Sequence, residues 1–157
     1  MQPNNKVHLT RQGFAELNQE LQNLTQVKLP AGIERVAKAR EFGDLAENSE
    51  YHNAREDLAM LEGRVEELQA LLKRVVIING SQAKTRTTVG LGCQVMVAGN
   101  GQTQVFVIVG EWEADPIKKK ISAESPLGKA LMGKKVGEMI EFEAPVGKIL
   151  YTVKKIN

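Results

Sequence analysis

The stretch YHNAREDLAMLEGRVEELQALLKRV, Tyr51 to Val75, decides how the first half of the chain folds. Within it Tyr51, Ala54, Leu58, Leu61, Val65, Leu68, Leu72 and Val75 alternate spacings of three and four without interruption. This is the apolar seam of a heptad repeat, and its regularity predicts a coiled-coil helix. A seam needs a facing seam, and the residues before it supply one of similar length. Thr10 reads as the N-cap of a helix starting near Arg11, with Leu17, Leu21 and Leu24 as its stripe. Pro30 lacks a backbone donor and disfavours helical geometry at Leu29, which predicts a kink or break over Leu29 to Ala31. The stripe resumes, with its phase shifted, at Ile33, Val36, Ala37 and Arg40. A helix of about 30 residues is roughly 45 Å long. The turn between the two helices, Phe42 to Tyr51, therefore stands at the far end of an antiparallel hairpin.

Past the hairpin the texture changes. Asn79-Gly80-Ser81-Gln82-Ala83-Lys84-Thr85 is polar and small, and marks a domain boundary. Gln94–Val97 and Gln104–Val109 read as a β-hairpin around Gly99-Asn100-Gly101, where positive φ is tolerated. Met139–Glu143 and Leu150–Val153 read as two more strands around a turn near Pro145 and Gly147. Between the pairs, Ser125 to Gly133 has a Ser N-cap, Pro in the first turn and a terminal Gly, which predicts a short helix. The expected fold class is α+β. An N-terminal antiparallel α-helical coiled-coil hairpin (residues 1–79) precedes a small C-terminal β-sheet domain with one short helix (residues 80–157).

Composition narrows the function. Residues 1–79 hold 10 Lys and Arg against 12 Asp and Glu, and residues 80–157 hold 11 against 7, so the halves carry −2 and +4. Neither is the clustered positive charge of a duplex-binding domain. Seven aromatic residues among 157 leave little for base-stacking platforms. One cysteine, Cys93, excludes an intrachain disulfide, and with two scattered histidines leaves no Cys/His zinc set. No run of apolar residues reaches the ~18 needed to cross a bilayer, and the N-terminus has no apolar signal core. The expected location is the cytoplasm, away from membranes.

Two acids, Asp44 and Glu47, lie in the turn. Their spacing fits a capping box, with an acid at the N-cap and Glu three residues on. It also fits a pair of exposed carboxylates that ligates a hard cation. Because Mg²⁺ wants about six oxygens, two carboxylates make a weak site alone and demand further ligands from a partner.

Ala39-Arg40-Glu41-Phe42-Gly43-Asp44-Leu45-Ala46-Glu47-Asn48-Ser49-Glu50-Tyr51-His52 closely resembles the coiled-coil tip of the bacterial transcript cleavage factors of the Gre family. Glu113-Ala114-Asp115-Pro116, then Lys120-Ile121-Ser122 and Ser125 to Lys135, resembles that family's second signature. The resemblance spans essentially the whole chain. It implies a factor whose C-terminal domain docks on bacterial RNA polymerase while the hairpin enters the secondary channel. The tip then stimulates the polymerase's Mg²⁺-dependent cleavage of the 3′ end of backtracked RNA. Asp44 and Glu47 match the acids that help bind that Mg²⁺ and position the attacking water, so the chain is an activator and the catalytic centre is the polymerase's.

Asn48, Ser49 and Tyr51 match the tip signature as support, Tyr51 mainly through the hairpin core because it lies on the seam. Arg40 and Arg55, and more weakly Lys38, are candidates to touch the RNA 3′ end, against the plainer reading of a solvated helix face. The resemblance places polymerase docking around Ser125, Pro126, Leu127, Ala130 and Leu131, although the last three also have spacing suited to a core. It further implies an FKBP-like C-terminal fold, which brings no isomerase activity with it. The factor is expected to be a monomer. The alternatives are a non-cleaving regulator that plugs the same channel and a coiled-coil adaptor that dimerises.

Overall fold

The computed structural model describes residues 6–78 and 86–157. The predicted boundary stretch at 79–85 lies outside the described residues. By packing, the described chain divides into a helical unit, residues 14–75, and a sheet unit that joins Lys6–Gly13 to Val76–Asn157.

In the helical unit α1 (Arg11–Asn23) leads through a π-helical segment (Leu24–Lys28) into α2 (Leu29–Glu41), and α3 (Ser49–Leu72) returns. The entry is as expected: the Thr10 hydroxyl oxygen accepts the Gly13 N–H at 3.0 Å. The expected break at Leu29 to Ala31 does not occur. Asn23, Lys28 and Leu29 all keep helical dihedrals, and the Leu29 N–H donates to the Leu24 carbonyl, five residues back. Widening the turns ahead of Pro30 accommodates its missing donor while the helix runs on. The inserted residue also resets the stripe. Ile33, Ala37 and Arg40 are exposed; Leu29, Gly32 and Val36 are half-buried and Ala39 is buried, at spacings of three, four and three.

Helix α3 faces that stripe. Tyr51, Ala54, Val65 and Leu68 are buried, with Leu58 and Leu61 half-buried. A Cβ on Gly32 would lie 3.3 Å from Leu58 Cδ1, so the small residue allows α2 and α3 to approach there. At the lower end the predicted seam is off by one position: Leu71 is 1% exposed, Leu72 is half-buried, and Val75 has left the helix for strand β2 (Val75–Ile78). Ion pairs stitch the antiparallel helices on the outside. Arg35 bridges to Glu50 at 2.7 Å and to Asp57, and Arg64 bridges to Glu20 at 2.8 Å, while Glu67 of its own helix also pairs with it at 2.7 Å.

In the sheet unit, β2 pairs with β1 (Val7–Thr10) in a two-stranded sheet that the pattern did not reveal. Val7-His8-Leu9-Thr10 alternates apolar and polar and Val75–Ile78 is a β-branched run, but each adjoins a helix end and reads there as a cap or as the end of the heptad seam. The larger sheet has β3 (Gln94–Gly99), β4 (Gln102–Val109), β5 (Lys120–Ser122), β6 (Met139–Ala144) and β7 (Gly147–Ile156) in the order β5-β4-β3-β7-β6. Both predicted hairpins are present, the first turning through Asn100 and Gly101 at positive φ. Strand β5, parallel to β4, was not anticipated; its three residues give no pattern to read. Helix α4 (Pro126–Leu131) is capped by the Ser125 hydroxyl, which accepts the Gly128 N–H at 3.1 Å. It packs Leu131 against Val95, Val97, Ile108, Ile140 and Val153.

Candidate functional site at the hairpin tip

The tip begins where α2 stops. Phe42 N–H still reaches the Ala39 carbonyl, after which Gly43 (φ +74°) and Asp44 (φ +30°) turn the backbone left-handed. Glycine takes that conformation freely, and aspartate is among the few other residues that tolerate it. The Glu47 N–H closes back on the Asp44 carbonyl at 3.1 Å. The left-handed step delays the next helix, so α3 starts at Ser49 and its N-cap is Asn48, whose Oδ1 accepts the Tyr51 N–H at 3.0 Å.

This corrects the capping-box reading of Asp44 and Glu47. Neither acid occupies a capping position, and Asn caps as well as Asp does. Both acids are exposed, and among the described residues neither side chain has a hydrogen-bond or ion-pair partner. Phe42, next to them, is 84% exposed.

Beneath the turn Tyr51 is 7% exposed and packs with Ala39, Ala54 and Val36, the core role expected for it. Its ring also carries cations. The Arg40 and Arg55 guanidinium carbons lie 5.8 and 5.7 Å from its centroid, within cation–π range. A hydrogen bond from Arg40 is the main reason the Tyr51 phenol sits below its ordinary pKa, with the charges of Arg40 and Arg55 adding to it and burial opposing. The two arginines are thus held near the tip with exposed side chains. Lys38 is less available: its Nζ pairs with Glu34 at 2.8 Å, and that hydrogen bond raises its pKa. Ser49 is exposed at the first position of α3.

The second signature is partly structural. In the sheet unit the Glu113 carboxylate accepts the Thr10 backbone N–H at 2.8 Å and the Thr10 hydroxyl. It lies so close to Gly13 that a Cβ there would collide with it. Asp115 Oδ1 accepts from the Ile117 N–H at 3.1 Å and so shapes the turn into β5. The docking candidates divide. Leu131 has no exposure, which corrects its assignment to a surface, and half-buried Leu127 and Ala130 pack against the same core. Pro126 is exposed, while Ser125 is half-buried and occupied in capping. The core alternative offered by the helical spacing of Leu127, Ala130 and Leu131 is the one the structure takes.

The fold and site define a helical-hairpin factor that carries two unpaired acids at its tip, over a tyrosine flanked by two arginines. The family description "Transcription elongation factor, N-terminal" matches residues 7–77, and "Transcription elongation factor, GreA/GreB, C-term" matches residues 83–157. The chain belongs to the GreA/GreB family of transcription elongation factors. It is 44% identical over 153 residues to transcription elongation factor GreA of Caldanaerobacter subterraneus subsp. tengcongensis, covering 96% of this chain and 97% of that one. It is 40% identical to GreA of Acetivibrio thermocellus, with 100% and 99% covered. Among solved structures, GreA factor homolog 1 (Gfh1) of Thermus thermophilus is 29% identical with 98% and 99% covered, at a TM-score of 0.45.

Proposed function

We propose that the chain acts on bacterial RNA polymerase as a transcript cleavage activator. Its hairpin enters the secondary channel, and its tip stimulates the polymerase to cleave the 3′ end of backtracked RNA, releasing arrested complexes. The observation that carries this reading is the state of Asp44 and Glu47: exposed, unpaired among the described residues, and relieved of helix capping by Asn48. Family membership supports it independently.

The donor set fits a divalent cation as a partial site. Two carboxylates supply hard oxygen ligands, and among the described residues no group of three or more Asp, Glu, His or Cys is placed to hold a metal. The remaining ligands belong to the polymerase, the RNA and water, so the isolated chain binds Mg²⁺ weakly or not at all. When bound, such an ion acidifies a coordinated water and offsets charge on the phosphoryl oxygens. The chain's own residues orient. Asp44 and Glu47 supply oxygens and accept hydrogen bonds from the attacking water. Arg40 and Arg55, steadied on Tyr51, donate to phosphate oxygens of the RNA 3′ end, with Lys38 contributing only when it leaves Glu34. In the sheet unit, Ser125, Pro126 and Leu127 at the start of α4 hold the rim of the polymerase, Pro126 being the most exposed of them.

On this reading the protein is not an enzyme by itself and works as a monomer. The test separates binding from chemistry. Glu47→Gln should compete with wild type for the elongation complex at equal concentration yet stimulate no cleavage. Wild-type cleavage by that variant would remove Glu47 from the mechanism.

A further inference from the structure

Among the described residues, Asn48 is the side chain that ties together all parts of the tip. Its Oδ1 caps α3 at Tyr51, while its Nδ2 donates to the Ala39 carbonyl at 2.7 Å and lies 3.4 Å from the Gly43 carbonyl. Ala39 is in the last turn of α2 and Gly43 begins the left-handed step, so one amide spans the chain from which Asp44 projects. Every residue from Arg40 to Glu47 is exposed, and Asn48 is the first half-buried residue after them. Packing therefore does little to hold the turn. Aspartate takes positive φ more readily than most residues, yet Asp44 at φ +30° is still held there at a cost that its surroundings must offset. Besides the Asn48 amide, the turn has the backbone bonds from Phe42, Gly43 and Glu47, and the His52 Nε2 lies 3.3 Å from the Ala46 carbonyl.

We propose that Asn48 is a positioning residue: by clamping the Ala39 and Gly43 carbonyls while capping α3, it fixes the backbone of Asp44 and the place of both tip carboxylates. This deepens the cleavage reading above and rests on it. Capping alone does not need an amide, because Ser or Asp caps a helix comparably. The clamp does, since it requires an acceptor and a two-hydrogen donor on one short side chain. A carboxylate at this position would face two carbonyl oxygens, and a serine hydroxyl is too short to span them.

The test uses the full chain with Asn48→Ser, and Asn48→Asp as a second variant, both of which keep a capping oxygen. Three properties are read: the thermal midpoint, nicking by chymotrypsin after exposed Phe42, and stimulated cleavage in a backtracked elongation complex as the factor is titrated. For Asn48→Ser the expected result is a near wild-type midpoint, several-fold faster nicking, and maximal cleavage reduced about tenfold to a hundredfold at an unchanged half-saturating concentration. Asn48→Asp should lose cleavage likewise and, with its carboxylate set against two carbonyl oxygens, should also melt earlier. Wild-type maximal cleavage by Asn48→Ser would overturn the proposal. So would a loss that only tracks a lowered midpoint, which would make Asn48 a cap and nothing more. If wild-type protein itself stimulates no cleavage, the functional reading fails, and unchanged nicking would then overturn the clamp separately.

Discussion

At the level of single residues, the tip distinguishes groups that hold the turn from groups the turn presents. Tyr51 belongs to the first kind, and its ionisation reports the arrangement. Arg40 depresses its pKa, so the folded protein favours the phenolate more than the unfolded chain does. A depressed acid contributes stability only once it is ionised. The contribution is therefore absent at neutral pH and appears as pH rises through the folded pKa towards the ordinary tyrosine value of about 10. Tyr51 should show phenolate absorbance early in an alkaline titration, and Arg40→Ala should move it later. An unchanged curve for Arg40→Ala would contradict the contact. Asp44 and Glu47 were legible in the sequence as a pair, but their freedom was not. The same D-x-x-E spacing serves a capping box, and only the left-handed Gly43 and Asp44 show that the helix starts later.

At the level of elements, the heptad pattern identified α3 and the hairpin but not every residue of the seam. The π-helical segment at Leu24–Lys28 adds a residue that changes which side chains of α2 face inward, so Ala39 replaces Ala37 and Arg40. No residue type signals a π-turn, and Pro30 gave only its neighbourhood. At the base, Leu71 takes the place expected for Leu72, because the helix ends and the chain turns into β2. Leu71→Ala should cost about 2–5 kcal/mol in chemical denaturation, against well under half of that for Leu72→Ala. Equal losses would restore the original seam. The ion pairs across the hairpin are worth less. Arg64 is 37% exposed, so solvent screens its bonds to Glu20 and Glu67. Arg64→Met should lower stability by at most about 1 kcal/mol, and the difference should shrink in high salt.

At the level of the whole molecule, the second signature resolves into parts with different duties. Lys6–Gly13 pack with the sheet unit, and the Thr10–Glu113 contact is one of the ties that keep them there. Gly13 makes room for that carboxylate. A helical Gly→Ala change with room for the methyl normally stabilises by up to about 1 kcal/mol, but Gly13 is buried against Glu113. Here it should destabilise by about 1 kcal/mol through displacement of Glu113 from Thr10, and a Glu113→Ala background should restore the normal sign. The order of helical hairpin and sheet, the two sheet hairpins and the short helix were readable from periodicity and turn residues; the boundary was not, because Lys6–Gly13 and Val76–Ile78, expected with the hairpin, pack with the sheet unit. Strands β1, β2 and β5 were not, since segments of three or four residues are set by their pairing partners. On the proposed function, Asp44 and Glu47, unpaired among the described residues, drive RNA cleavage inside the polymerase. The most direct measurement adds wild-type or Asp44→Asn protein, with Mg²⁺, to a stalled, backtracked bacterial elongation complex carrying 5′-labelled RNA. Shortened RNA that the polymerase can extend should appear with wild type and not with Asp44→Asn; equal products with both would contradict the account.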